Sequence, residues 1–202
     1  MHLAVEASTP FLEMTQNWIV SMSKRLRYLG IVSGLTGWLV IFGSISLNPW
    51  FVFTEHAFSD LGGRLSEVAW LFNNGMILNG LLIVGYGIYL VSVSSNKVMT
   101  VGSAFTLISG VFLMLIGVYP TGTYPHYFVS VYFFTQTDIA IGTWGLGIIK
   151  SGKKELGRIL LGLSILGPLI ASVVEWPSTA VVEAYGILIM NIWVFLMLRL
   201  EN

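Results

Sequence analysis

Hydrophobic side chains fall in six long runs along this chain, and polar residues gather in the short connectors between them. The runs are Tyr28–Leu47, Val68–Val93, Val98–Tyr119, Tyr127–Ile149, Leu156–Val174 and Ala180–Leu198. Each reaches the roughly 20 residues that a helix rising 1.5 Å per residue needs to cross a hydrocarbon core of about 30 Å. Connectors this short force neighbouring helices to run antiparallel. The pattern predicts an all-α, polytopic integral membrane protein: a bundle of six transmembrane helices over residues 27–202, with residues 1–26 as a separate N-terminal segment.

That first segment is not patterned as a cleavable signal, because Glu6 and Glu13 precede any apolar stretch and the basic cluster follows it. Ser8-Thr9-Pro10 supplies a capping hydroxyl and a proline for a first helical turn. Phe11, Leu12, Trp18, Ile19 and Met22 then recur at spacings of 7 and 8, which places them on one stripe. A short helix lying in the membrane interface is expected there. A helix tucked under the bundle would show the same stripe.

Charge orients the bundle. Nine of the ten Lys and Arg residues sit at alternate connectors and ends: Lys24, Arg25 and Arg27, then Lys97, then Lys150, Lys153, Lys154 and Arg158, then Arg199. The remaining connectors hold only Arg64. Cytoplasmic loops are enriched in Lys and Arg, so the expected location is the cell membrane, multi-pass, with both termini cytoplasmic. Trp38, Trp50, Trp70 and Trp176 lie near run ends, where interfacial aromatics anchor a helix.

Composition agrees: 55% of residues are hydrophobic, 10% are charged, and mean hydropathy is +0.80, far from a soluble domain. A formal net charge of zero gives no footprint for nucleic acid. With no cysteine, disulfides, thiolate metal sites and cysteine nucleophiles are excluded. Glycines are frequent inside the runs, among them the pair Gly30 and Gly34 in GxxxG spacing. In lipid such residues mark faces where backbones approach closely, and packing within one chain is favoured over dimerisation.

The chemistry gathers on the other connectors, on the face opposite the basic loops. The first of them carries Glu55, His56, Ser59, Asp60 and Arg64, with Glu67 beyond; the third delivers His126; the fifth carries Glu175, with Glu183 about one turn inside the last run. His56 and Asp60 are four apart, so one helical turn would put them on one face, and His126 could complete a metal site for zinc or another divalent ion. That spacing matches no zinc signature, and no cofactor is otherwise implied. A small-ligand or lipid-headgroup pocket is a second reading, with Arg64 as a bidentate donor. Simple helix capping and pairing of Arg64 with Asp60 or Glu67 is a third, and such surface pairs contribute at most about 1 kcal/mol.

Asp138 stands apart. It lies twelve residues from both His126 and Lys150, roughly 18 Å from either end of its helix. A charged carboxylate near the bilayer centre costs about 2.5–3.5 kcal/mol on insertion scales, so it needs a partner or a cavity. It is either bonded to a neighbour such as Asn73, Asn79 or Asn191, or part of a proton or ion path. His126 and Asp138 differ by about 120° around an ideal helix and need not share one site. For Asn73, Asn79 and Asn191 interhelical hydrogen bonding suffices.

Ser59-Asp60-Leu61-Gly62 before the second run, Phe72-Asn73 with Gly75 and Gly80 within it, Gly117-Val118-Tyr119-Pro120 ending the third and His126 opening the fourth resemble the family catalogued as domain of unknown function 998. Tyr119 departs mildly from the Phe more usual there. The resemblance implies a six-helix prokaryotic membrane protein without assigned activity, and directs attention to Asp60, Asn73 and His126. Ser59, Asp60 and His126 also loosely resemble the site of ceramidase-like zinc hydrolases. The chain lacks their HxxxH pair on a late helix and has six spans against their usual seven, so that mechanism is not carried over.

The function expected is that of a binding or accessory membrane protein. Its outer-face polar pocket, formed by Glu55, His56, Asp60, Arg64, His126 and Glu175, would hold a small polar ligand, a lipid headgroup or a partner subunit. One alternative is a membrane-embedded hydrolase with His56, Asp60 and His126 as metal ligands and Glu175 or Glu183 as general base. Another is a proton- or ion-coupled transporter using Asp138.

Overall fold

The structure, a computed structural model, describes residues 25–200. The N-terminal stripe of Phe11 to Met22 lies outside the described residues. Six helices follow: α1 (Leu29–Ser46), α2 (Ala69–Val93), α3 (Lys97–Val118), α4 (His126–Lys150), α5 (Lys154–Val173) and α6 (Thr179–Met197). Their ends fall within two residues of the apolar runs. A 3-10 turn at Phe58–Gly62 sits in the first connector, another at Leu198–Leu200 follows α6, and there is no strand among the described residues.

Five of the helices are long and apolar enough to cross a membrane; α4 is long enough but not apolar enough. The reason is visible in its sequence: Ser130, Thr135, Gln136, Thr137, Asp138 and Thr143 interrupt the apolar surface. Around the bundle the helices turn large apolar side chains outward, Leu39 at 72% exposed and Phe42 at 61% among them. A soluble monomer rarely shows contiguous apolar surface on this scale, whereas lipid solvates it.

Consecutive helices from α1 to α5 pack against one another in chain order. Glycines set the closest approaches. A Cβ on Gly80 would stand 2.5 Å from the Gly110 carbonyl oxygen of α3, and one on Gly145 would stand 2.9 Å from that of Gly157 in α5. The α1 glycines are used within the chain: Gly30 lies against Val194 and Tyr86, Gly34 against Asn191, and Gly37 against Asn79. The GxxxG pair therefore serves intramolecular packing, as expected.

Two apolar clusters close the two ends of the bundle. Toward the basic connectors lie Tyr86, Leu90, Met99, Trp144, Leu160 and Trp193; toward the acidic ones lie Ile41, Phe58, Leu61, Phe72, Leu113 and Phe133. Between them the buried residues turn polar: Ser33, Asn79, Thr106, Ser109 and Thr137. The Ser33 hydroxyl donates to Asn79 Oδ1 at 2.6 Å, while Thr106, Ser109 and Thr137 donate to carbonyls of their own helices.

Helix α6 is held differently. It packs only lightly on α1, α4 and α5. Its first turn is instead stitched to the first connector: Ser178 Oγ donates to the Phe53 carbonyl at 2.6 Å, the Ala180 N–H to the His56 carbonyl at 2.9 Å, and the Phe58 N–H to Glu183 Oε2 at 2.7 Å. That connector folds inward as an aromatic plug, with Phe58 4% exposed and stacked between Phe51 and Phe53.

Candidate functional site

The polar residues of the acidic end do not gather at its rim. Glu55, Arg64 and Glu175 are exposed and line neither of two cavities that open into the bundle. Arg64 makes no ion pair with Asp60 or Glu67; among the described residues the ion pair seen is Arg158 with Glu155. The expected rim pocket is thus dispersed. What converges lies deeper and to one side.

His56, Asp60 and Asn73 are occupied locally. The His56 ring lies edge-on to Trp50, and its Nδ1 accepts the Val52 N–H at 2.9 Å. Asp60 Oδ2 accepts the Ala57 N–H at 2.9 Å and so caps the 3-10 turn. Asn73 donates to the Gly62 carbonyl at 3.0 Å, fastening that turn to α2. No group of three His, Asp or Glu side chains is arranged to hold a metal ion among the described residues. The structure does not assemble His56, Asp60 and His126 into a ligand set, because each is turned to a different backbone partner.

His126 opens α4. Its Nδ1 lies 2.7 Å from the Tyr119 carbonyl, which can only accept, so in the neutral ring the proton is on Nδ1. Nε2 is left to accept from the Thr121 hydroxyl at 3.2 Å, with Ser130 Oγ at 3.5 Å. The latter distance is at the limit of a hydrogen bond and builds no nucleophile–base pair.

From His126 a cavity of about 550 Å3 runs down the side of the bundle between α4, α5 and α6. This is within the range of small-molecule sites. Its acidic-end wall includes Ser59, His126, Thr179 and Glu183; its inner end reaches Asp138, Ile141, Pro168 and Ile189. Fifteen residues separate His126 from Ile141, so the cavity is about 22 Å long parallel to α4, with Asp138 about 18 Å along it. Val131, Phe134, Val182 and Met190 make the stretch between apolar. The offset of about 120° between His126 and Asp138 falls inside the arc of α4 facing this cavity, so the two residues do share a site. Half-buried Asp138 has no hydrogen-bond or ion-pair partner among the described residues; Asn73 and Asn79 are engaged elsewhere, and Asn191 lies against Gly34 of α1.

A second cavity of about 120 Å3 lies inside the bundle, with Ser33, Asn79, Thr106, Ser109 and Asn191 in its walls. It has room and polar partners for several water molecules. Ser59, Ser130, Thr137 and Glu183 line both cavities, so Glu183 stands at their junction. Ser130 and Thr137 were not singled out by sequence, yet a signal exists. They lie 4 and 11 residues after His126, which puts all three within about 40° on one helix face.

A bundle of long apolar helices that turns large apolar side chains outward defines a polytopic membrane protein. The family model described as Protein of unknown function (DUF998) matches residues 31–200, and the chain belongs to that family. No curated protein and no solved structure matched it.

Proposed function

We propose that this protein is a six-span membrane protein that binds an amphiphile of lipid type in the cavity beside α4, α5 and α6. The observation that carries this reading is the form of the cavity: polar at the Ser59, His126 and Glu183 end, apolar along its length, and open at the side of the bundle. A headgroup would be held at the polar end, with the tail lying along Phe134, Val182 and Met190. Helix α4 is the sixth span, because it joins α3 and α5, which are apolar spans packed on either side of it. Its polar face is tolerated because it looks into cavities and neighbouring helices rather than into lipid. The distribution of Lys and Arg supports cytoplasmic basic connectors and an outward acidic end.

The test is native mass spectrometry of protein released from lipid nanodiscs, wild type beside Ala171→Trp. Ala171 is part of the cavity wall on α5, so an indole there would fill the space. Retained amphiphile in the wild type and its loss in the variant is the expected result. A wild type that retains none, or a variant that retains as much, would refute the reading. A second function, transport, is favoured by one observation: the lateral and interior cavities share Glu183, which gives a solute or proton a polar route between them.

A further inference from the structure

We propose that the occupant of the lateral cavity carries positive charge: a lipophilic cation, with Asp138 and Glu183 as its counter-charges. This rests on reading the cavity as an amphiphile site. The ionisable side chains that line it are Asp138, Glu183 and, at its mouth, His126; no Lys or Arg is among them. Glu183 accepts the N–H of Phe58, and Asp60 lies two residues further along the same 3-10 turn, so a third acid group belongs to this end. Apart from His126, the cavity thus concentrates acid groups, and the described Lys and Arg residues lie at the opposite end of the bundle save for exposed Arg64, which does not line it.

Neither carboxylate is used up by the protein. Asp138 bonds to no described residue, and Glu183 has one oxygen on the Phe58 N–H. Arg158, the described cation in an ion pair, is paired at the far end with Glu155. An anionic headgroup would meet these carboxylates with no donor of opposite sign, and a neutral one would leave Asp138 unmatched at mid-helix. A cation is matched by the carboxylate at either end of the cavity.

The walls fit the same chemistry. Tyr127, Phe134 and Tyr185 line the cavity, and the Trp176 ring lies tilted against Tyr185 with centroids 5.1 Å apart, so aromatic faces are available to a delocalised or quaternary cation. The remaining wall is aliphatic and matches an apolar body. Glu183 also borders the interior cavity, so a cation seated there would contact both spaces.

The experiment titrates tetraphenylphosphonium, and separately its near-isosteric anion tetraphenylborate, into protein in nanodiscs of zwitterionic lipid, with empty nanodiscs as the blank. Saturable binding of the phosphonium but not the borate is expected. Asp138→Asn and Glu183→Gln should each weaken it at least about thirtyfold, the lower end for losing one member of a desolvated charge pair. The wild-type comparison of the two ions stands even if a variant fails to fold. Equal binding of both ions, or a preference that survives both substitutions, would overturn the charge assignment. So would binding of neither ion by protein that still retains a lipid displaced by Ala171→Trp; the amphiphile site would then stand without it. Loss of retained lipid as well would remove both.

Discussion

Replacing Gly80 by Ala adds one methyl group where α2 crosses α3. The added carbon would stand 2.5 Å from the Gly110 carbonyl oxygen, 2.5 Å from Met114 Cγ and 2.7 Å from the Met114 nitrogen. Two of those three atoms are backbone of a helix and cannot swing aside, so α2 and α3 must separate. Overpacking of this kind costs about 1–3 kcal/mol, and a backbone obstacle argues for the upper part of that range. Alanine also recovers about 0.8–1.0 kcal/mol of helix propensity over glycine. The balance is a loss of about 2 kcal/mol. Gly162 in α5 supplies the control, because a Cβ there meets nothing within 4 Å. Gly162→Ala should therefore stabilise by up to about 1 kcal/mol. The assay is reversible unfolding, titrating sodium dodecyl sulfate into maltoside micelles and following tryptophan fluorescence. Gly80→Ala should unfold earlier than the wild type and Gly162→Ala later. Midpoints that move in the same direction would refute the argument, since both variants make the same chemical change and differ only in surroundings.

The attachment of α6 to the first connector predicts that Ser178→Ala, which loses both the cap on Val181 and the bond to the Phe53 carbonyl, costs about 1–2 kcal/mol. Faster amide exchange at Ala180 is the readout, and unchanged protection there would show that the stitching holds nothing. Asn96→Ala should cost a similar 1–2 kcal/mol or so, because Asn96 Oδ1 accepts from the N–H groups of Val98 and Met99 while Nδ2 donates to Gly147 and Ser151. Asn96→Asp, which keeps the cap and loses the donors, should fall between the two in unfolding midpoint. The chain has no cysteine, so single Ser95→Cys, Thr123→Cys and Lys154→Cys variants report sidedness cleanly. Thr123→Cys should react with an impermeant maleimide on intact cells, and the other two only after permeabilisation. Equal labelling at 123 and 154 on intact cells would mean that α4 does not cross.

Much of this was open to reading from the chain alone. All six helices end within two residues of the apolar runs, because a long apolar run satisfies its backbone within its own helix and the connectors that stop it are polar. Those are local requirements, written in consecutive residues. The role of Gly30 and Gly34 was legible in kind for the same reason, since a residue without a side chain in an apolar run implies a close neighbour. Which neighbour was not: that Gly34 meets Asn191 and Gly80 meets Gly110 depends on how helices far apart in sequence are arranged.

The candidate site divides along the same line. His126, Asp138 and Glu183 stand out because a titratable group at the end or middle of an apolar run is costly and asks for an explanation, and Ser59 stands out with the first connector. Glu55, Arg64 and Glu175 were grouped with them by connector, and the structure leaves those three exposed, because sharing an end of the bundle does not bring side chains together. His56 and Asp60 are claimed by backbone groups three or four residues away, which no spacing rule distinguishes from metal ligation, and Asn73 by the Gly62 carbonyl in the preceding turn. The cavity itself is a tertiary object. It exists because α6 is fastened at its first turn and packs lightly against α4 and α5, leaving space that runs from His126 to Asp138. The long helices and the residues that cannot rest in lipid unaided are legible in the order of residues, since both follow from the transfer of individual groups into hydrocarbon. Which of those residues face one another rests on contacts between helices that no single run contains, and so emerges with the packed bundle.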